Sequence, residues 1–467
     1  SLSAPARSGA RRRRGPGRRC CLGHRRNAGL RSVGTGHVLL VLFMFHIQQP
    51  VSIRTCGCHR QLFCPPDFSQ ARPLPSYHLP LPAQRGSLAA MIICMDIQSA
   101  VTQRAGIGRY TRQLAEHLPG MASDMDFRFS YFDFKGNAKP AGIPEDRLRP
   151  VRWCPGSVAQ LAWKTLHFPP FDWFAGRADV YHFPNFAIPP LGRGAAVVNI
   201  HDISFIRYPE FAEERNLRYL SATIRDTARR ASAIITGSRF TAKEIAESLS
   251  VDASRVFPIY NGIAQQFVPP KPEQITAMRR RLGLDGPYLL SVGTVEPRKN
   301  LPFLVEVFER FASFDGQLVV AGMPGWKHEP ILDRIRQSPR SAAIKWIRYV
   351  EDADLPLLYG GAECFVMTSH YEGFGFPPLE AMACGTPVVS SAGGSLEEVL
   401  GDAAVVVHHF EADGWVEAVR EIATHSDLRR RLVERGRAHA AQFTWQETAR
   451  KTLDVYRAIV PRKREQA

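Results

Sequence analysis

Residues 361–392 read GAECFVMTSHYEGFGFPPLEAMACGTPVVSSA. The apolar run Cys364–Met367 predicts a strand, and it empties into a polar loop with two glycines, Tyr371 to Phe376. Pro377 and Pro378 suit the first turn of a helix, where a missing N–H is no loss, and Gly385 followed by Pro387 suits its end. A helix of about two turns lies between them, with the next strand over Thr386–Ser390. Strand, glycine loop and helix N-terminus gather free backbone N–H groups and the positive end of a helix dipole at one spot, an arrangement that binds anions. Glu372 at the strand end and Glu380, expected in the first helical turn, border that spot, and carboxylates accept hydrogen bonds from sugar hydroxyls. Each residue alone also has a plainer reading: Glu380 is favourable beside a dipole without a ligand, and Phe374 and Phe376 fit a core.

As a string, EGFGFPPLEAMACGTPVV resembles the signature of two glutamates separated by seven residues in retaining glycosyltransferases of the GT-B fold, specifically glycosyltransferase family 4. The resemblance implies an α/β architecture: two Rossmann-like domains facing each other across a cleft, with a C-terminal helix crossing back to the first. It also implies that Glu372 lies near the transferred sugar and Glu380 on the ribose, with Gly373, Phe374, Gly375 and Phe376 around the donor.

Composition narrows the alternatives. The chain has 467 residues and a net charge of +16, which by itself suggests nucleic-acid binding. Residues 1–90, however, hold fourteen arginines and one acid, Asp67, so the remaining residues carry 16 − 13 = +3, ordinary for an enzyme. No nucleic-acid partner is therefore expected. The arginine-rich segment shows no helical or strand period, and its apolar run 38–45 is far shorter than the roughly twenty residues that span a bilayer. Met91 opens MIICMDIQ, a good first strand, and the expectation is that the native chain starts there, with residues 1–90 upstream sequence or a disordered extension. Cys56, Cys58 and Cys64 have no matching second ligand pair, so zinc is not expected, while Cys94, Cys154, Cys364 and Cys384 read as reduced cysteines of a cytoplasmic protein.

Downstream of Met91, strands are expected at Phe127–Tyr131, Val180–Phe183, Ala196–Ile200, Ala233–Thr236, Tyr288–Val292, Gln317–Ala321, Ile344–Val350 and Ala404–Val407. Helical patterns lie between them, notably Ala212–Ala231, which argues parallel sheets covered on both faces. The expected division is an extension over 1–90, an acceptor-side domain over 91–268, a proline-bearing linker over 269–285, a donor-binding domain over 286–444, and a crossover helix with its tail over 445–467. The aromatic stretch Val158–Phe174 admits two readings, a cluster covering the core and a contact with a membrane surface or lipid acceptor.

Three further sites fall at strand ends, where open α/β sheets place ligands. Gly106 and Gly108 form a G-x-G turn in AGIGRY, which resembles a family loop bordering the cleft. His201-Asp202 in NIHDISF resembles the family's His-Asp segment, whose histidine contacts the donor sugar, although an aspartate holding a histidine is also a structural device. Arg298 and Lys299 follow Gly293 and precede a helix for which Asn300 is an expected N-cap; two cations at the positive end of a dipole call for an anion between them. This segment resembles the family's nucleotide-diphosphate contact, with Thr294 where some branches carry another arginine and Arg348 where members usually carry glycine. Ser395 and Glu398 read as a capping box, and the Asp124/Asp126 and Asp352/Asp354 pairs read as structural, so no metal and no cofactor are expected.

Together these features imply a metal-independent hexosyltransferase acting on a nucleotide-diphosphate sugar, GDP-mannose favoured, and a glycan or lipid-linked acceptor in polysaccharide synthesis. Catalytic roles then fall on His201, Glu372, Lys299 and Arg298. The enzyme is expected in the cytoplasm, with peripheral attachment to the membrane as a further option. The rival readings are an inactive GT-B binding scaffold and another sugar-nucleotide enzyme such as a phosphorylase or epimerase.

Overall fold

The computed structural model describes residues 90–103 and 106–460. The arginine-rich segment, its cysteines and its apolar run lie outside the described residues.

Two parallel sheets dominate. The first contains β1 (Met91–Asp96), β2 (Met125–Phe132), β3 (Leu148–Val151), β4 (Val180–Phe183), β5 (Ala195–Asn199), β6 (Ala233–Thr236) and β7 (Val256–Pro258), in the order β3-β2-β1-β4-β5-β6-β7. The second contains β8 (Tyr288–Val292), β9 (Gln317–Ala321), β10 (Ile344–Ile347), β11 (Cys364–Met367), β12 (Val388–Ser391) and β13 (Val405–Val407), in the order β10-β9-β8-β11-β12-β13. Each order reverses direction once, between β1 and β4 and between β8 and β11. Chains leaving the two strands at such a point diverge and open a crevice at their carboxyl ends, which is where ligands bind.

The strands are apolar throughout because both faces are covered. Ile93 and Met95 of β1 enter one buried cluster while Cys94 between them enters another, and Leu290 and Leu289 of β8 divide in the same way. Strand side chains alternate, so such a division places helices on both sides of each sheet. Helix Trp445–Ile459 packs Trp445, Ala449, Leu453 and Tyr456 into the core of the first sheet, so the chain's last described helix returns to its first sheet as expected. No helix among the described residues is long and apolar enough to cross a membrane.

Several sequence expectations shift. β10 ends at Ile347 rather than Val350, β12 begins at Val388, and the helix expected from Ala212 runs over Glu214–Arg230, capped by the Glu213 carboxylate on Arg215 N and Asn216 N. The edge strands β3 and β7 were not expected, because Pro150 and Pro258 interrupt their strand pattern; at an edge a missing N–H is tolerated. Asn300 stands before helix Leu301–Arg310 but in the left-handed region, φ 51°, with no side-chain cap. Ser395 and Glu398 make no capping box, since the Ser395 hydroxyl donates to Glu372 O and the Glu398 carboxylate turns to the first sheet's domain. Cys94, Cys364 and Cys384 are buried and Cys154 half-buried, all free thiols, and burial pushes Cys94 and Cys364 up to about 12.

Candidate active site

Both crevices open toward one another, and the expected site residues converge there. After β8 the chain turns through Gly293, whose φ of 154° and close approach to the Lys299 side chain leave no room for a Cβ without displacement. A short turn, Pro297–Lys299, then presents Arg298 and Lys299 side by side. After β11 comes Glu372, and both cations close on it: Lys299 Nζ lies 2.6 Å from one carboxylate oxygen and Arg298 Nη1 2.9 Å from the other. Arg298 also donates to Tyr371 O at 2.6 Å and pairs with the buried Glu296 at 2.7 Å. Burial alone would raise the Glu372 carboxyl, but Arg298 and Lys299 outweigh it and hold it at about 2. The guanidinium of Arg298, which burial would push down, is raised by Glu372 and Glu296. The expected anion between the two cations is thus the chain's own Glu372. About 10 Å³ of cavity lies among Gly293, Lys299 and Ser369.

Gly375 adopts φ 100° and turns the chain into helix Phe376–Ala383, with Pro377 in its first turn. Glu380 is the fifth residue of that helix, one residue deeper than expected and just past the first turn, because the helix already starts at Phe376. It is 3% exposed and donates nothing: one oxygen accepts from Arg109 Nη1 at 2.5 Å and the other from the Tyr359 hydroxyl at 2.9 Å. Burial raises the Glu380 carboxyl against the opposing pull of Arg109, so the two glutamates titrate in opposite directions. The rings of Phe374 and Phe376 pack inward, on Tyr260 and Phe443 and on Trp445 respectively.

Across the cleft, Gly106 holds φ 56° and ψ −121°, a conformation open to glycine, and starts helix Ile107–Met121; a Cβ on Gly108 would collide with Gln103 O. This turn delivers Arg109 to Glu380. His201 follows β5 and approaches Pro184 O through Nε2 at 2.8 Å; a carbonyl only accepts, so Nε2 carries the proton and Nδ1 keeps its lone pair. Burial lowers the His201 pKa, and the ring is neutral. Asp202 does not hold His201: its carboxylate accepts from Ser204 N at 2.9 Å and from the Ser204 hydroxyl at 2.7 Å. Tyr110 and Phe186 fix the imidazole edge-on.

The two halves are locked at Gly373. A Cβ there would sit 2.2 Å from His201 O, and its carbonyl accepts from Ser238 and Thr241 hydroxyls. Glu398 accepts from Arg239 N at 2.8 Å, Phe240 N at 2.7 Å and the Tyr260 hydroxyl at 2.7 Å, capping helix Arg239–Leu249 from the other domain. Tyr371 donates to Glu244 at 2.5 Å. Sequence reasoning missed Arg109, Glu398, Glu244 and Tyr359. Arg109 was within reach, as the cation following a G-x-G turn at a strand end; the others carry no local signal. Among the described residues no three His, Cys, Asp or Glu side chains could hold a metal, and Asp124, Asp126, Asp352 and Asp354 each pair with an arginine.

Comparison with known proteins agrees with this geometry. Residues 104–267 match the model of Glycosyltransferase Family 4 and residues 274–439 that of Glycosyl transferases group 1. The chain is 33% identical over 286 residues to O-antigen chain mannosyltransferase B of Escherichia coli, covering 60% of this chain and 74% of that one. It is 27% identical over 244 residues to the serotype-specific mannosyltransferase WbdA of Escherichia coli, covering 50% of this chain but 30% of that longer protein. The solved structure of Anabaena HepE in complex with UDP and glucose superposes with a TM-score of 0.62 at 19% identity, covering 79% of this chain and all of that one, which shows the fold alone. A double Rossmann-like architecture, two matching models and a relative at this identity establish that the chain belongs to the group 1 glycosyltransferases, with a family 4 domain and the GT-B fold.

Proposed function

We propose that the chain is a retaining, metal-independent mannosyltransferase that uses GDP-mannose to extend a glycan or lipid-linked glycan in surface polysaccharide synthesis. The observation that carries this reading is the Arg298–Glu372–Lys299 cluster at the switch point of the second sheet, opposite His201. The choice of mannose rests on the likeness to the O-antigen mannosyltransferase. The second domain, 286–444, takes the nucleotide, and the first, 91–268, faces the acceptor in the cytoplasm.

Transfer requires cleavage of the donor's anomeric C–O bond, with positive charge growing on the sugar and negative charge on the departing diphosphate. Arg298 and Lys299 are positioned to meet the phosphates, with the backbone of Gly373–Gly375 and the N-terminus of helix Phe376–Ala383 adding positive potential. These fixed cations can neutralise the leaving group without a divalent ion. Neither glutamate suits a nucleophile's role: Glu372 is held at about 2 between two cations, and Glu380 is spoken for by Arg109 and Tyr359. Retention then follows if the leaving phosphate takes the acceptor's proton on the face it vacates, with Glu372 and neutral His201 orienting the sugar and Glu380 the ribose.

A donor panel of GDP-mannose, UDP-glucose and UDP-N-acetylglucosamine, assayed in EDTA with lipid-linked and free glycan acceptors, tests this. An α-mannosyl product made from GDP-mannose and absent with Lys299→Ala supports it. Turnover of another donor, or an inverted product, overturns the corresponding part.

A further inference from the structure

Four polar side chains from four separate elements are sealed in the first sheet's domain next to His201. They are Tyr110 of helix Ile107–Met121, His182 of β4, Asn199 at the end of β5 and Tyr456 of helix Trp445–Ile459. None is more than 2% exposed, and none takes part in the steps proposed above. An apolar side chain would fill each place without desolvating a polar group, so the hydrogen bonds add what packing alone does not supply, a fixed angle.

Their bonds run in one direction. Asn199 Oδ1 only accepts, so His182 Nε2, 2.6 Å away, carries the ring's proton. His182 Nδ1 then keeps its lone pair and accepts from the Tyr456 hydroxyl at 2.6 Å. The Asn199 amide nitrogen donates onward to the Tyr110 hydroxyl at 2.9 Å. Burial pushes His182 down to about 4, and nearby His201 adds to the push, so the ring stays in the neutral form that this order requires.

The chain reaches the site through several contacts. The Tyr110 ring stands edge-on to His201, with centroids 5.1 Å apart and planes at 79°. Tyr110 also follows Arg109, which meets Glu380 across the cleft. Asn199 lies two residues before His201, and His182 lies two residues before Pro184, whose carbonyl accepts from His201 Nε2. Trp445, the first residue of the helix that carries Tyr456, packs on the Tyr110 ring at 5.8 Å. One helix therefore holds Tyr110 twice, by its ring directly and by its hydroxyl through His182 and Asn199.

We propose that Tyr110 is a positioning residue for sugar transfer: the Tyr456–His182–Asn199 chain sets its ring, and its ring sets the His201 imidazole, which makes the C-terminal helix a working part of the site. This rests on the reading that His201 orients the donor sugar, and adds to it groups that are sealed from solvent.

The test uses the full chain with Tyr456→Phe and Tyr110→Phe, which remove one hydroxyl from either end, so that one variant suffices if the other fails to fold. Tyr288→Phe is the control, since it removes an equally buried hydroxyl, bonded to Leu358 O at 2.7 Å, from the second sheet's domain. Each is also combined with His201→Ala, and melting temperature is followed throughout. With the donor that the panel identifies, Tyr456→Phe and Tyr110→Phe are expected to lower kcat about tenfold with KM within about twofold, and to lower it no further once His201 is alanine. Tyr288→Phe is expected to lose stability and keep kcat. Spectra of the protein labelled with 13C-histidine, assigned with His201→Ala and His182→Gln, give a reading that needs no donor: the His201 Cε1–H resonance should shift in Tyr456→Phe and stay in place in Tyr288→Phe. Losses of kcat that persist beside His201→Ala, an equal loss in Tyr288→Phe, or an unmoved His201 resonance overturns the proposal. Wild-type kcat in His201→Ala overturns the reading of His201 and the proposal with it, whereas a loss there with wild-type kcat in Tyr456→Phe and Tyr110→Phe overturns the proposal alone.

Discussion

Arg109 and Glu380 stand on opposite domains, 271 residues apart in sequence, and their side chains meet at 2.5 Å. The arginine side chain is only 19% exposed and the glutamate nearly sealed, so the pair is a desolvated link across the cleft. Asp352 stands 3.6 Å from the same guanidinium, and Phe267 lies under it. In the proposed donor complex, ribose hydroxyls that donate to Glu380 share that carboxylate with Arg109, so the proposal puts Arg109 at the boundary between donor binding and domain closure.

Replacing Arg109 by Gln should therefore raise KM for the donor by about tenfold with a smaller change in kcat, because it removes an interaction made on binding. Arg109→Lys should not restore it, since a point charge lacks the planar fork that reaches Glu380 and Asp352 together. Steady-state kinetics with varied donor reads both.

The two glutamates differ in pH dependence. Glu372 has its folded pKa depressed from 4.5 to about 2, so its contribution is fully present above the unfolded value and is lost as pH falls from about 4.5 toward 2. The loss amounts to about 3 kcal/mol at most. Glu380 has its folded pKa raised by burial, so ionising it opposes folding as pH rises above the unfolded value. At pH 7.5, Glu372→Gln should lower the melting temperature clearly, by leaving Arg298 and Lys299 facing one another, and Glu380→Gln should lower it less. Differential scanning calorimetry across pH 3–8 checks the order of the two.

Gly373 is where the halves touch. In Gly373→Ala the new methyl would meet His201 O at 2.2 Å and the Asp202 Cβ at 2.8 Å, and a backbone carbonyl cannot step aside. Each domain keeps its own core, so the protein should fold, while a displacement of about 1 Å across the cleft should cost about a hundredfold in kcat/KM. Circular dichroism with a wild-type spectrum and near-wild-type activity would contradict this.

Glu398→Ala removes a cap on helix Arg239–Leu249 supplied from the other domain, together with the Tyr260 hydrogen bond. A lost cap costs about 1 kcal/mol. The more telling effect is on closure: small-angle scattering of the donor-free variant should show a larger radius of gyration than the wild type, and equal radii would assign Glu398 a purely local role.

The extent to which the sequence foretold this site depends on distance along the chain. Buried parallel strands write themselves as apolar runs, so β1, β4, β6, β8, β9 and β11 are legible to the residue, while β3 and β7, edge strands containing proline, are not. Local turn chemistry showed Gly106 and Gly375 in glycine-bearing loops, and each has the positive φ that only such a turn requires. Partners across the cleft leave no local trace. Glu398 resembled a capping box because Ser395 stands three residues before it, yet it caps a helix 159 residues away, and the anion between Arg298 and Lys299 comes from β11's loop. Charge balance over long range decides such pairings, and no spacing rule encodes it.

The most direct test of the central claim is calorimetric titration of GDP-mannose into the chain in EDTA at pH 7.5, alongside Lys299→Ala and, as a surface control, Arg450→Ala. Binding that saturates at one site, weakens at least about tenfold in Lys299→Ala and is unchanged in Arg450→Ala is the predicted result, since the proposal has Lys299 exchange its Glu372 partner for a donor phosphate. Equal affinity in wild type and Lys299→Ala, with both folded, would contradict it.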